Sequence, residues 1–103
     1  MSDELYEYFD QIFEWDVAKA RRNWMRHHVL FTEAATAFFD KDVVAFIDEE
    51  HSLEEQRYTV LGRSAKSRTL YVVHVERGER IRIISARVAT AQERGRYESE
   101  LGR

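Results

Sequence analysis

The chain has 103 residues, enough for one domain with a modest core and no second folding unit. With 44% hydrophobic and 34% charged residues it falls in the globular class, and no apolar run is long enough to span a bilayer. The acidic start from Met1 to Glu7 lacks the basic, then apolar pattern of a secretory signal, and cysteine is absent, which fits a cytoplasmic protein.

In chain order, Leu5, Tyr8, Phe9 and Ile12 sit at helical spacing while Phe13 and Trp15 alternate. The segment 1–11 is therefore predicted as a flexible or helical extension, with a short helical turn leading into a short strand. Asp16 can cap a helix with a buried stripe of Val17, Ala20 and Trp24, ending near His27 or His28, and with Lys19, Arg22 and Arg26 on another face. Thr32 is a second plausible cap, for a short helix carrying Phe31, Ala34, Ala35 and Phe38. Four strands follow, Val43–Ile47, Arg57–Arg63, Thr69–Val75 and Arg80–Arg87, with an acidic, solvated loop from Asp48 to Gln56. No helix-sized segment separates them, so neighbours should pair antiparallel. Thr90 and Glu93 form a capping box for a last helix with Tyr97 and Leu101 facing inward. The predicted architecture is a single α+β domain over residues 1–103, with N-terminal helices packed on a four-stranded antiparallel sheet and a C-terminal helix.

The net charge of −3 conceals an asymmetry. Residues 1–56 carry 14 acids against 5 bases, whereas residues 57–103 carry 5 acids against 11 bases, ten of them arginine. Arginine's planar fork matches phosphate oxygens two at a time, although salt bridges to the acidic half would use the same residues structurally.

The register of the last two strands decides which of these side chains meet. If Arg77 and Gly78 are the central residues of the turn, His74 shares a face with Ile81 and Ile83 and is a core histidine. If the turn has three residues ending in a left-handed Gly78, Val73 opposes Ile81 and His74 opposes Arg80. The second register gives the cleaner apolar pairing. It gathers His74, Arg80 and Arg82 on one open face with Glu76 at the rim. Such a face suits RNA cleavage by attack of the 2′-hydroxyl on the adjacent phosphate. Glu76 or His74 would act as base and the other as acid, while Arg63, Arg82 and Arg87 stabilise the phosphate charge. Arg80 and the helical strip Lys19, Arg22 and Arg26 are RNA-binding candidates, though exposed charges on sheets and helices are more often structural.

Other signals are weaker. His27, His28 and His51 show no pairing at ligand spacing, so neither a metal nor a cofactor is expected. Gly62 lacks the repeated glycines of a phosphate loop, and Ser64 and Ser85 have no triad partners in recognisable order.

Several of these pieces, taken in order over roughly residues 13–98, resemble the BrnT toxins. They are Phe13-Glu14-Trp15-Asp16 with Lys19, Ala20 and Asn23; Phe31, Glu33 and Ala34; Gly62-Arg63-Ser64; Val72-Val73-His74 with Glu76-Arg77-Gly78; the run Ile81 to Arg87; and Ala89-Thr90 with Glu93, Arg94 and Tyr97. The resemblance implies a RelE-like fold and metal-independent endoribonuclease activity that inhibits translation. It also implies neutralisation by a BrnA-like ribbon-helix-helix antitoxin, with operator DNA bound only through the toxin–antitoxin complex, and no membrane role. It supports Arg63, His74, Glu76, Arg82 and Arg87 as site candidates. Two positions depart from the family pattern. His28 stands where glycine usually follows the histidine, so the helix could end differently here, and Lys41 stands where proline often follows the acid. The competing function is a non-catalytic toxin or RNA-binding module that serves as the antitoxin's partner in repression.

Overall fold

The computed structural model describes residues 2–52 and 55–101, with the side chain of His51 outside that set. Residues 53–54 of the acidic loop therefore lie outside the described residues, and the loop begins with a 3-10 turn at Glu49–His51.

The first two elements correct the prediction of a flexible or helical extension. They are β1 (Asp3–Tyr8) and β2 (Gln11–Asp16), an antiparallel hairpin. Its two-residue turn holds Phe9 at φ 49° and Asp10 at φ 68°, the left-handed pair that matches the twist of a tight hairpin. The spacing of Leu5, Tyr8, Phe9 and Ile12 suggested a helix, but the alternation of Tyr6 and Tyr8 prevails: Tyr6 packs against Trp15 at 5.9 Å.

Helix α1 (Val17–His27) starts as expected, with the Asp16 carboxylate accepting from the Lys19 N–H at 3.0 Å. Its buried residue is Asn23, however, and Trp24 remains 44% exposed, so the expected apolar stripe is corrected. The helix ends on His28 in the left-handed conformation, φ 56°, with its N–H bonded to the Trp24 carbonyl at 2.8 Å. The substitution for glycine thus leaves the helix end in place. Helix α2 (Phe31–Ala37) begins after Leu30, not at Thr32, and buries Phe31, Ala34 and Ala35.

The four predicted strands are present as β3 (Val44–Asp48), β4 (Arg57–Arg63), β5 (Thr69–Arg77) and β6 (Arg80–Val88), paired antiparallel. They are not the whole sheet. The order is β1-β2-β6-β5-β4-β3, six strands, and β2 lies parallel to β6 through Ile12↔Arg80, Phe13↔Ile81 and Glu14↔Arg82. The expected four-stranded antiparallel sheet behind N-terminal helices is corrected to a six-stranded mixed sheet that starts the chain, with three short helices. The physical reason is the N-terminal hairpin. Its inner residues Phe13 and Trp15 are 0% and 2% exposed, and they reach the core only by extending the sheet edge at β6.

Helices α1 and α2 cover one face, over Phe13, Trp15, Val60, Leu70, Val72 and Ile83. Gly62 lets α2 approach, because a Cβ there would lie 2.4 Å from the Ala37 carbonyl oxygen. Helix α3 (Ala91–Leu101) lies over β4 on the other face. The capping box forms as predicted, with Thr90 Oγ1 accepting from the Glu93 N–H at 3.1 Å and the Glu93 carboxylate accepting from the Thr90 N–H at 2.9 Å. Tyr97 is buried beside Leu61 and Ala89, but Leu101 is 42% exposed, contrary to expectation.

Neither expected register of the last hairpin occurs. Arg77 pairs with Arg80, so Gly78 and Glu79 form the turn, with Gly78 at φ 62°. A bulge between Val73 and His74 then sets His74 opposite Ile83 and Val73 opposite Ser85.

Candidate functional site

The bulge decides where the histidine of β5 goes. His74 is 6% exposed, opposite Ile83, with Phe38 edge-on at 4.8 Å and Tyr58 stacked at 5.7 Å. Burial pushes its pKa down to about 4, against a weaker upward pull from the Val72 backbone. Its Nδ1 has no hydrogen-bond partner among the described residues. The expected meeting of His74 with Arg80 across one open face is therefore corrected. His74 faces the helix-covered core. Glu76 opposes Ile81 and is exposed; strand alternation puts it on the His74 side of the sheet, away from Arg80 and Arg82.

The arginines expected to converge divide into three settings. Arg82 opposes Glu14 across the parallel pair and donates to its Oε2 at 2.7 Å and to Asp3 at 2.9 Å. Arg80 reaches the other Glu14 oxygen at 3.4 Å. Hydrogen bonds donated to Asp3 and Glu14 hold the Arg82 guanidinium firmly protonated despite partial burial. Arg87 lies under α3, donating from both terminal nitrogens to Glu93 at 2.8 and 2.9 Å, with its guanidinium 4.1 Å above the Tyr71 ring. Arg63 is exposed at the end of β4, and its backbone N–H donates to Asp40 at 2.8 Å.

A different set of cations lines a groove. Beyond Glu14↔Arg82 the β2–β6 pairing ends, and Asn23 of α1 takes over the strand edge. Its side-chain N–H groups donate to the carbonyls of Ala86 at 2.8 Å and Val29 at 3.0 Å, and its oxygen accepts from the Ala86 N–H at 3.1 Å. One amide side chain thereby supplies what a neighbouring strand would. It holds α1 beside β6 and leaves an open groove of about 610 Å³, lined by Lys19, Arg22, Met25, Arg26 and His27 from α1 and by Ile84 and Ser85 from the bulged part of β6. Lys19, Arg22 and Arg26 are exposed, and none is ion-paired among the described residues. Among the described residues no carboxylate lines the groove.

His27 is half-buried there. Burial lowers its pKa, and the positive charges of Arg26 and Arg87 lower it further. Sequence spacing points to His27 only as a helix end or a metal-ligand candidate. The available clue was its place at the end of the helix bearing Lys19, Arg22 and Arg26, but its proximity to Arg87 depends on the β6 bulge and on the Asn23 clasp.

A third polar cluster is structural. Glu33 on α2 accepts from the Ser64 hydroxyl at 2.7 Å and from Arg68 Nε at 3.0 Å, while Arg68 also donates to the His28 carbonyl at 3.1 Å. Burial would raise the Glu33 pKa, but these donors bring it below the ordinary value. The cluster joins α2, the β4–β5 turn and the end of α1.

Chemically, the groove offers three cations with no ion-pair partner among the described residues, a hydroxyl, and an imidazole whose pKa burial lowers, a set that can hold a phosphate backbone and move a proton. Among the described residues no helix is long and apolar enough to cross a membrane. No curated protein matches the chain. A family model described as "Ribonuclease toxin, BrnT, of type II toxin-antitoxin system" matches residues 15–93. That span includes α1, the whole β3–β6 meander, the groove and the Glu33 cluster, and the chain belongs to this family of BrnT ribonuclease toxins.

Proposed function

We propose that the chain is an endoribonuclease that binds RNA in the α1–β6 groove and cleaves it without a metal, by attack of a 2′-hydroxyl on the adjacent phosphate. The observation that carries this is the alignment of Lys19, Arg22 and Arg26, none of them ion-paired among the described residues, along a groove lined by no described carboxylate in a chain whose net charge is −3. Local positive charge against an acidic background attracts a polyanion, and a cationic lining supplies the phosphate stabilisation that a divalent ion would otherwise provide. Arg87 adds positive charge beside the groove, held in place by Glu93 and Tyr71.

Among the other candidates, Arg80 and Arg82 fasten the N-terminal hairpin to β6, and His74 fills the core. Arg63 and Glu76 lie on opposite faces and serve as comparison positions. Membership of a type II toxin family supports an antitoxin partner, and we place it in the ribbon-helix-helix class, with operator DNA reached only through the complex. Cleavage of RNA in the cytoplasm would inhibit translation. A non-catalytic, antitoxin-bound role has one observation in its favour: Arg82 and Arg87 of the sheet are committed to acids.

The test is incubation of the purified chain with single-stranded RNA and with the matched all-deoxy oligonucleotide, both in chelator. Cleavage of RNA alone, leaving 2′,3′-cyclic phosphate and 5′-hydroxyl ends, is the expected result. RNA binding without scission would establish the non-catalytic role.

A further inference from the structure

We propose that His27 is the general base of the groove, accepting the proton of the attacking 2′-hydroxyl while Lys19, Arg22 and Arg26 hold the phosphate. This rests on the ribonuclease reading above and assigns the proton transfer within it.

Position is the first ground. His27 is the last residue of α1 and lines the same groove as Lys19, Arg22, Arg26 and Ser85, so a phosphate held by those cations lies beside its imidazole. Availability is the second. Its ring makes no hydrogen bond to any described residue, which leaves a nitrogen lone pair for an incoming hydroxyl. Among the four histidines His74 is in the core and His28 is stacked on Trp24 at 5.4 Å as the helix cap, while the His51 side chain is outside the described set. Protonation state is the third. The charged groups acting on His27 are Arg26 on its own helix and Arg87 on β6, both positive, with Glu93 of α3 engaged by Arg87. Burial opposes protonation and these charges add to it, which favours the neutral ring that can accept a proton.

In the step, the 2′-oxygen forms a bond to phosphorus as its proton passes to the imidazole. The bond from phosphorus to the 5′-oxygen breaks, and that oxygen takes a proton from water. The imidazolium then returns its proton to the hydroxide formed, so the products are a 2′,3′-cyclic phosphate and a 5′-hydroxyl.

The experiment measures kcat/KM for single-stranded RNA across pH 4.5–8.5, for wild type, His27→Ala and His27→Gln, with and without added imidazole. Binding of the matched deoxy oligonucleotide and thermal melting are measured in parallel. Both variants should melt near wild type and bind the deoxy strand within about threefold, yet lose roughly 10²–10⁴-fold in kcat/KM. Imidazole should restore at least about tenfold to His27→Ala. Wild-type kcat/KM should fall on the acid side, at a pH below the ordinary imidazole range, because protonation removes the base, and the variants should lose that limb. Wild-type-like cleavage by either variant overturns the role of His27 while leaving the ribonuclease reading intact. So does a loss of activity that follows a loss of binding and ignores imidazole. No cleavage by wild type overturns both.

Discussion

Two arginine-bearing regions lie along β6 and differ in what their charges do. At the N-terminal end of the strand, Arg80 and Arg82 face Glu14, which is 7% exposed, and Arg82 also holds Asp3 of β1. Their positive charge is used up inside the protein. At the bulged end β2 no longer pairs, Asn23 satisfies the strand edge without introducing a charge, and the cations of α1 have no acid among the described residues. A cation left for phosphate is one that no carboxylate engages, here because the strand edge beside it is satisfied by the neutral amide of Asn23. Arginine density, the quantity visible in composition, does not distinguish the two.

The largest effect should come from reversing charge in the groove. Arg22→Glu with Arg26→Glu should reduce RNA cleavage about a hundred- to thousandfold, measured as kcat/KM, while the melting temperature stays within a few degrees, since neither side chain has an ion-pair partner among the described residues. Comparable activity would remove the groove from the function.

Arg82→Ala should act in the opposite manner. It leaves Glu14 buried with only the weaker Arg80 contact, which should cost about 3 kcal/mol in denaturant unfolding. Cleavage per folded molecule should remain within a few-fold of wild type. A stable but inactive Arg82→Ala would return the site to the sheet face.

His74 should reveal itself through pH. The unfolded imidazole binds a proton near pH 6.5 and the folded one only at about 4, so between these values the unfolded state holds more protons. Its contribution is therefore present above pH 6.5 and is lost as pH falls toward 4, on the order of 3 kcal/mol. Urea midpoints for wild type and His74→Phe should differ least near neutrality and separate as pH falls toward 4, with the smaller acid slope in the variant. An identical slope in both would show that His74 is not buried neutral.

The smallest effect belongs to the helix end. His28→Gly relieves a positive φ but loses the stack on Trp24, for a net gain of about 0.5 kcal/mol in unfolding free energy. A clear loss would mean that the stack outweighs the backbone term.

Much of the fold was legible where one signal dominated. Strand β4 and the Thr90–Glu93 box follow from β-branched runs and capping chemistry alone. The N-terminal hairpin was missed because its aromatics satisfy helical and strand spacing at once, and its parallel partner is more than sixty residues away, beyond local pattern. The register of β5 and β6 was missed because a bulge within the strands shifts it independently of the turn. That single residue moved His74 out of the site the sequence suggested. Lys19, Arg22 and Arg26 were legible as a helical strip, but the groove beside them was not, since it exists only where Asn23 meets Ala86. Family membership was legible because it depends on an ordered set of residues and not on how they pack.

The central claim is that RNA lies along α1 and not across the arginines of the sheet. Its most direct test is the salt dependence of binding to an uncleavable deoxy oligonucleotide, compared between Lys19→Ala/Arg22→Ala/Arg26→Ala and Arg80→Ala/Arg82→Ala. Each lost phosphate contact on a single strand lowers the slope of log K against log salt by about 0.7. The helix triple variant should lose about two units of slope and the sheet double variant almost none. The reverse pattern would contradict the assignment of the groove as the RNA site.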